Sequence, residues 1–361
     1  MDPRDFLVRR DDLSSVRWDA AQTTADQPLE EGAALLRVDR FSLSSNNITY
    51  GVLGDAMHYW SFFPAPAGWG RIPVWGYAEV VASRAGDLRE GERVFGYLPI
   101  STYLRVQPAR IDARGFSDAS PHRSALPATY QRYDRVPPGD PALEDLRALL
   151  RPLFGTGFLI DSWLSECKQF GARQILLGSA SSKTALATAF MLSRRPERDF
   201  AVIALTSARN RAFCERVGYY DRVVEYTQIE SLPADLPSML IDMAGDRDML
   251  TRVHRHYAGN LRHSCLVGLT HRELSLTTPI EELPGPKPEL FFAPAHAEAG
   301  IKAHGPEGFG KRVGKAQQAF FESTRSWLQL EHGQGPAAIE AAYRKIYEGM
   351  LEPQQGVILS P

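Results

Sequence analysis

Apolar residues run along this chain in two different rhythms. In the N-terminal part they come in short stretches separated by breakers. Glu31 to Leu43 reads as a strand opened by a turn, Trp75 to Ser83 as a second strand, Leu88 to Tyr97 as a turn and a strand, and Thr102 to Val106 as a further strand. Several short strands at this spacing predict a compact β-rich unit. After the Pro137-Pro138-Gly139 breaker the period changes. Leu143, Leu146, Leu149, Leu150, Leu153 and Phe154 recur at helical spacing, and Leu159, Trp163 and Leu164 continue the apolar face. A domain boundary is expected near Asp140.

From there strands and helices alternate. Gln174 to Gly178 is a short apolar run that passes through Ser179-Ala180-Ser181-Ser182 into an Ala/Leu-rich helical pattern starting at Lys183-Thr184. This reads as a buried strand, a tight turn and a helix start, whose unpaired N–H groups and positive dipole end suit a phosphate. Ser181, Ser182 and Thr184 stand where a dinucleotide fold places glycines, and their hydroxyls are able to donate to phosphate oxygens. A P-loop is the competing reading. It requires Gly, four residues, then Gly-Lys-Ser/Thr, whereas from Gly178 the Lys183-Thr184 pair arrives one residue early and the second glycine is missing. A serine-capped helix start with no ligand is the third reading.

Phe200 to Leu205 is the next apolar run, closed by Thr206, Ser207, Ala208, Arg209, Asn210 and Arg211. That is where a doubly wound fold holds the adenosine ribose. An acid there would bind the 2′-hydroxyl, whereas hydroxyls and arginines suit a 2′-phosphate, so NADP(H) is expected over NAD. A solvated arginine-bearing loop is the plain alternative. Ser238 to Gly245, His263 to Leu269 and Leu290 to Pro294 read as further short strands. Ligands sit at the C-terminal ends of strands in open parallel sheets, which assigns Met243, Ala244, Gly245, Val267, Gly268, Leu269 and Phe291 to the cofactor cleft. Phe309 to Leu330 and Ala337 to Met350 are expected as amphipathic helices, and Gly356 to Leu359 as a final strand that rejoins the first domain.

Composition narrows the class. A chain of 361 residues suggests two domains, and a net charge of −2 argues against a general nucleic-acid partner. Cys167, Cys214 and Cys265 are odd in number and far apart, so they make neither a disulfide framework nor a zinc site, and a reducing cytoplasm is expected. The N-terminus lacks a basic start followed by an apolar stretch, and no run approaches the roughly 18 apolar residues of a membrane span. A soluble, unprocessed protein is expected. His58, His122, His263, His271 and His296 show no ligand spacing, and His254 and His256 face different sides of a helix.

The β-rich start, the segment Leu43 to Tyr50, Arg89 to Gly96, the later strand-turn-helix and the terminal Gly356 to Leu359 resemble, in that order, the medium-chain dehydrogenase/reductase superfamily. Within it the Ser181-Ser182-Lys183-Thr184 turn resembles an uncharacterised subfamily of unknown function. The resemblance implies an α/β protein with a GroES-like catalytic domain over residues 1–140, a Rossmann doubly wound domain over 141–330 and a C-terminal return over 331–361, with the active site between the two domains. Zinc-dependent members carry a Cys, a Gly-His-Glu stretch and a four-cysteine loop. Here Asn46 and Trp75-Gly76-Tyr77 stand at the first two positions and the loop is absent, so no metal is expected. The Asn-x-x-Asp of the zinc-independent quinone and enoyl reductases resembles Asn46 to Thr49, with Thr49 in place of the acid.

The expectation is a metal-free, NADP-dependent reductase that passes hydride to a conjugated carbonyl acceptor, with Asn46, Thr49 and Tyr50 holding the substrate carbonyl or the nicotinamide ribose. Asn46 reads equally as a loop residue bonding its own backbone. Tyr59, Trp60, Phe62, Phe63 and Trp69 are candidates for an apolar substrate wall or for domain core. A non-catalytic nucleotide-binding sensor or assembly protein is the alternative. The apolar Leu290 to Phe292 edge, with the resemblance, predicts a homodimer.

Overall fold

The computed structural model describes residues 2–137, 139–268 and 283–361, and the chain divides into two compact units, Met1–Leu149 with Gln329–Pro361 and Leu150–Leu328. The first unit runs through β1 (Arg4–Arg9), β2 (Val16–Ala20), β3 (Ala34–Leu43), α1 (Ser45–Val52), β4 (Trp69–Gly70), β5 (Pro73–Ser83), β6 (Arg93–Pro99), β7 (Tyr103–Val106), β8 (Pro108–Asp112), β9 (Gly115–Asp118) and β10 (Arg132–Arg135). Helix α2 (Pro141–Glu166) follows, and the division between the units falls inside it. The second unit holds β11 (Gln174–Gly178), α3 (Lys183–Ser193), β12 (Ala201–Thr206), α4 (Ala208–Val217), β13 (Arg222–Glu225), β14 (Ser238–Asp242), α5 (Arg247–Tyr257), β15 (Leu261–Leu266), β16 (Glu289–Leu290) and α6 (Ala293–Thr324). The chain returns to the first unit through β17 (Gln329–Gln334), α7 (Gly335–Tyr347) and β18 (Gln355–Ser360).

In the first unit β3 is paired along both edges. It lies antiparallel to β5 on one side, and on the other to β7 at its start and β18 at its end. Ala34, Leu35, Leu36, Val38, Phe41 and Leu43 of β3 are buried, with Arg37, Asp39 and Arg40 interrupting the run. Helix α7 adds Ile339, Tyr343 and Ile346 to the same core as Phe6, Phe41 and Leu359, so the last residues of the chain complete a core begun by the first.

The second unit is a six-stranded sheet in the order β13-β12-β11-β14-β15-β16, with every pair parallel. Counted within the unit this is the 3-2-1-4-5-6 order of a dinucleotide-binding fold. Alternate residues of β11 serve opposite layers. Ile175 and Leu177 pack with Ile160 and Leu164 of α2 and with Ala185 and Ala189 of α3, while Leu176 packs with Met249, Leu250 and Val253 of α5. Both faces are covered, as a parallel sheet requires.

Three local expectations change. The segment around Asn46 is helix α1 rather than a loop, because Ser44 caps it and Asn47 Oδ1 accepts the Ser44 N–H at 2.8 Å. The run at Leu290 to Pro294 holds only the two-residue β16, and Pro294 in the first turn of α6 starts a helix there, where a missing N–H is tolerated. Helix α6 ends at Thr324 instead of reaching Leu330, and it is interrupted at Gly305, whose φ of +68° precedes Pro306.

Candidate functional site

The turn between β11 and α3 is built by side chains as much as by backbone. Ser179 has φ +50°, its N–H donates to the Tyr226 hydroxyl at 3.2 Å, and the Tyr220 hydroxyl donates to the Ala180 carbonyl at 2.6 Å. The Ala180 N–H donates to the Leu205 carbonyl at 3.1 Å, which ties the turn to the end of β12. Ser182 is the N-cap of α3, and its Oγ accepts the Ala185 N–H at 3.3 Å. Gly178 is required for a different reason: a Cβ there would lie 2.7 Å from Met249 Cε and 2.9 Å from Asp242 Oδ1. Lys183 opens α3 almost wholly buried, and burial pulls its ammonium down to about 8. Thr184, beside it, is half-buried.

The neighbouring turns meet this one. Asn210 Nδ2 donates to Ser181 Oγ at 2.9 Å, joining the β12–α4 turn to the β11–α3 turn. Thr206 is buried, Ser207 is the half-buried N-cap of α4, and Arg209 is exposed. Arg211 is already engaged by carboxylates, with Glu215 at 2.9 Å and Glu225, from the end of β13, at 3.3 Å. The acid missing from the end of β12 is thus present on the next strand, where it faces Arg211. Asp242 closes the β14 turn, accepting N–H bonds from Ala244 at 3.1 Å, Gly245 at 2.9 Å and Asp246 at 3.2 Å. Burial pushes its carboxyl up to about 7 against those three donors. Met243 and Phe291 join the apolar layer of Ile175 and Leu177, and Phe291 stacks on His296 at 4.2 Å. Val267 donates its N–H to the Asp242 carbonyl at 2.8 Å, Gly268 is buried, and Leu269 lies outside the described residues.

Within the first unit, the first turn of α1 faces an aromatic cluster. Asn46 is half-buried, Thr49 and Tyr50 are buried, and Asn47, not Asn46, is consumed by structure, donating through Nδ2 to the Pro73 carbonyl at 2.8 Å. Tyr50 packs on Tyr59 at 4.7 Å and edge-on to Tyr97 at 5.5 Å, and Tyr130 packs on Tyr97 at 4.8 Å. The Tyr59 and Tyr130 hydroxyls are 3.4 Å apart, and Trp75 Nε1 donates to the Tyr50 hydroxyl at 3.3 Å. Burial raises Tyr50, Tyr59, Tyr97 and Tyr130 alike, so all four remain phenols, able to donate, at ordinary pH. Trp60 and Phe62 are core residues, whereas Trp69 is half-buried under the guanidinium of Arg17 at 4.1 Å. Tyr97 and Tyr130, like Tyr220 and Tyr226 in the second unit, carry no local sequence signal. Only the pairing of β6 and the connection before β10 bring the first two to α1.

Among the described residues no helix is long and apolar enough to cross a membrane, and no group of three or more His, Cys, Asp or Glu is placed to hold a metal ion. No curated protein matches the chain. Solved structures do. CurA from Vibrio vulnificus, crystallised in complex with NADPH, is 13% identical over 99% of this chain and 98% of its own, with a TM-score of 0.61. A mutant enoyl thioester reductase from Candida tropicalis is 9% identical over the whole of both chains, with a TM-score of 0.56. A putative NADPH:quinone reductase from Bacillus thuringiensis is 13% identical over 99% of both, also with a TM-score of 0.56. At such identities the likeness establishes the fold, a Rossmann sheet with a GroES-like β unit, as in the medium-chain reductases. A family profile matches residues 41–352, and the chain accordingly belongs to the family described as Protein of unknown function (DUF2855).

Proposed function

We propose that the chain is a metal-free, NADP(H)-dependent reductase that delivers hydride to a small conjugated carbonyl acceptor. The observation that carries this reading is the parallel sheet in dinucleotide-binding order, whose first turn presents a capped helix N-terminus, three further hydroxyls and a buried lysine at one strand end. That donor set fits a pyrophosphate: Ser179 to Thr184 would hold it, and Ser207 and Arg209 would hold the 2′-phosphate. Arg211, shared between Glu215 and Glu225, has less charge to offer. NADPH, when bound, supplies the hydride. In the first unit, Asn46 and Tyr50 orient the acceptor and present donors to the oxygen that gathers negative charge, with Thr49 supporting them from the next turn. Asn46 and Trp75-Gly76-Tyr77 offer no thiolate or imidazole at the positions that zinc enzymes of this fold use, which supports a mechanism without metal. The CurA–NADPH complex and the enoyl and quinone reductases of the same fold support both the cofactor and the acceptor class. As in the sequence reading, we place the protein in solution in the cytoplasm as a homodimer, which light scattering at micromolar concentration tests.

Calorimetric titration with NADPH and NADH is the decisive experiment. Tight NADPH and weak NADH binding is expected, followed by pre-steady-state NADPH oxidation with at least one enone or quinone. Replacing Ser207 and Arg209 with Ala weakens NADPH far more than NADH, and equal losses would remove the 2′-phosphate assignment. Thr49, buried where related reductases carry an acid, favours a second reading, a nucleotide-binding sensor. It predicts cofactor binding with no turnover across the acceptor panel.

A further inference from the structure

Tyr50 is surrounded by groups that donate to it. The indole N–H of Trp75 lies 3.3 Å from its oxygen, and an indole nitrogen only donates. The Tyr50 oxygen is therefore the acceptor in that bond, and its own proton must point elsewhere. Asn46, one helical turn back on the same face of α1, acts on the Tyr50 side chain in the sense that favours its ionised form. Behind the ring, the Tyr97 hydroxyl is fully buried, and Tyr50, Tyr130 and Tyr59 each oppose its ionisation; toward Tyr50 it acts as the donor, in the sense that favours the ionised form of Tyr50.

We propose that Trp75 is a positioning residue that turns the Tyr50 hydroxyl into an outward-pointing donor, with Tyr97 as the reserve donor behind it, so that Tyr50 receives the oxygen of a conjugated carbonyl as that oxygen becomes an enolate. The identity of the acceptor rests on the reductase reading; the donor geometry does not. Asn46 and Trp75, beside the hydroxyl, are both half-buried, whereas the Tyr50 ring itself is buried. Burial keeps the proton on the phenol, so the role is hydrogen-bond donation to an oxyanion and not proton transfer. Trp75 also packs on Phe95 at 5.9 Å and on Tyr97 at 5.1 Å, contacts that a Phe at this position retains in kind.

The test needs no cofactor and uses 4-nitrophenol as an enolate mimic, because its ionisation is read by absorbance. The wild-type chain is expected to bind the phenolate better than the phenol and so to lower the apparent pKa of the bound ligand. Trp75→Phe reduces phenolate affinity about tenfold while 4-nitroanisole, which carries no charge, binds unchanged; Tyr50→Phe removes the pKa shift; Tyr97→Phe reduces it in part. The proposal is overturned if the wild type fails to prefer the phenolate, if Trp75→Phe matches the wild type, or if that variant loses both ligands equally, which is the signature of packing alone. Thermal melts of the three variants identify any that fail to fold, and the Tyr97→Phe arm then carries the test. NADPH titration is run separately. Tyr50-dependent phenolate binding without NADPH binding would end the reductase reading and leave this one standing, and the converse result would do the opposite.

Discussion

Lys183 occupies a position that physics makes uncomfortable for a cation, the first turn of a helix and a buried one. Burial brings its ammonium down to about 8, so the charge is complete well below that pH and is lost as pH rises through it. NADPH affinity is accordingly expected to fall about tenfold between pH 7 and pH 9, and Lys183→Arg to flatten the dependence, since a guanidinium stays charged. Calorimetry across that range checks it, and an unchanged wild-type affinity would show that Lys183 does not face the cofactor. Asp242 makes a second prediction. Its side chain accepts three backbone N–H bonds in a fully buried turn, and Asp242→Ala leaves those donors unpaired. A loss of about 2–4 kcal/mol in urea unfolding is expected, with Asp242→Asn costing less. The Ser182 cap was legible in the sequence because a cap is a local device. The use of Asp242 as a turn clamp, by contrast, depends on where the next four residues go.

Among the elements, α1 matters most, because it carries Asn46, Thr49 and Tyr50 on eight residues. Asn47 anchors it at both ends of its amide, to the Ser44 N–H at 2.8 Å and the Pro73 carbonyl at 2.8 Å. Asn47→Ala is expected to destabilise the chain by about 1–2 kcal/mol and to weaken acceptor binding through Tyr50, whereas Asn46→Ala leaves the urea midpoint within about 0.5 kcal/mol of wild type. A larger loss from Asn46→Ala would show that it, too, is structural. The segment read as a loop because Asn-Asn is a turn signal, and Ser-x-x-Asn capping was the competing cue that prevailed. The apolar run at Leu290 shows the same conflict. Its residues suit a strand, but Pro294 commits the backbone to a helix directly after the short pairing with β15.

For the whole molecule, the chain end is a structural necessity of the first unit. β18 pairs with β3, and Ile339, Tyr343, Ile346, Val357 and Leu359 are buried in the core it shares with Phe6 and Leu36. At about 1.5–3 kcal/mol for each buried side chain, removal of residues 329–361 exceeds the whole stability of a typical domain. The truncated chain is expected to lose the cooperative melting of the first unit, and a melt like that of the full chain would contradict this. Stability also responds to acid. His263 stacks on Phe170 at 4.2 Å and His296 on Phe291 at 4.2 Å, and burial lowers both imidazoles below 6.5. The unfolded chain takes up those protons first, so their contribution is intact above about 6.5 and is lost as pH falls below it. Asp242 acts in the opposite sense, because its raised carboxyl costs stability as pH rises from the usual carboxylate range toward 7. The double change His263→Phe with His296→Phe should reduce the drop in melting temperature between pH 7 and pH 5, and an unchanged drop would assign the acid response elsewhere.

The order of short strands, the change of period near Asp140, the β11 turn and the hydroxyl-rich end of β12 could all be read along the chain, because each is a pattern of neighbours within one or two turns of backbone. Periodicity records which face of an element is buried, and it does not record what that face meets. For that reason the meeting of Glu225 with Arg211, the tie from Asn210 to Ser181, and the gathering of Tyr50, Tyr59, Tyr97, Tyr130 and Trp75 were decided only when separate strands came into register. The turn proposed to hold a phosphate belongs to one strand-turn-helix, and that local pattern is legible along the chain. The aromatic cluster around Tyr50 draws on α1, β5, β6 and a turn before β10, so it exists only in the folded unit.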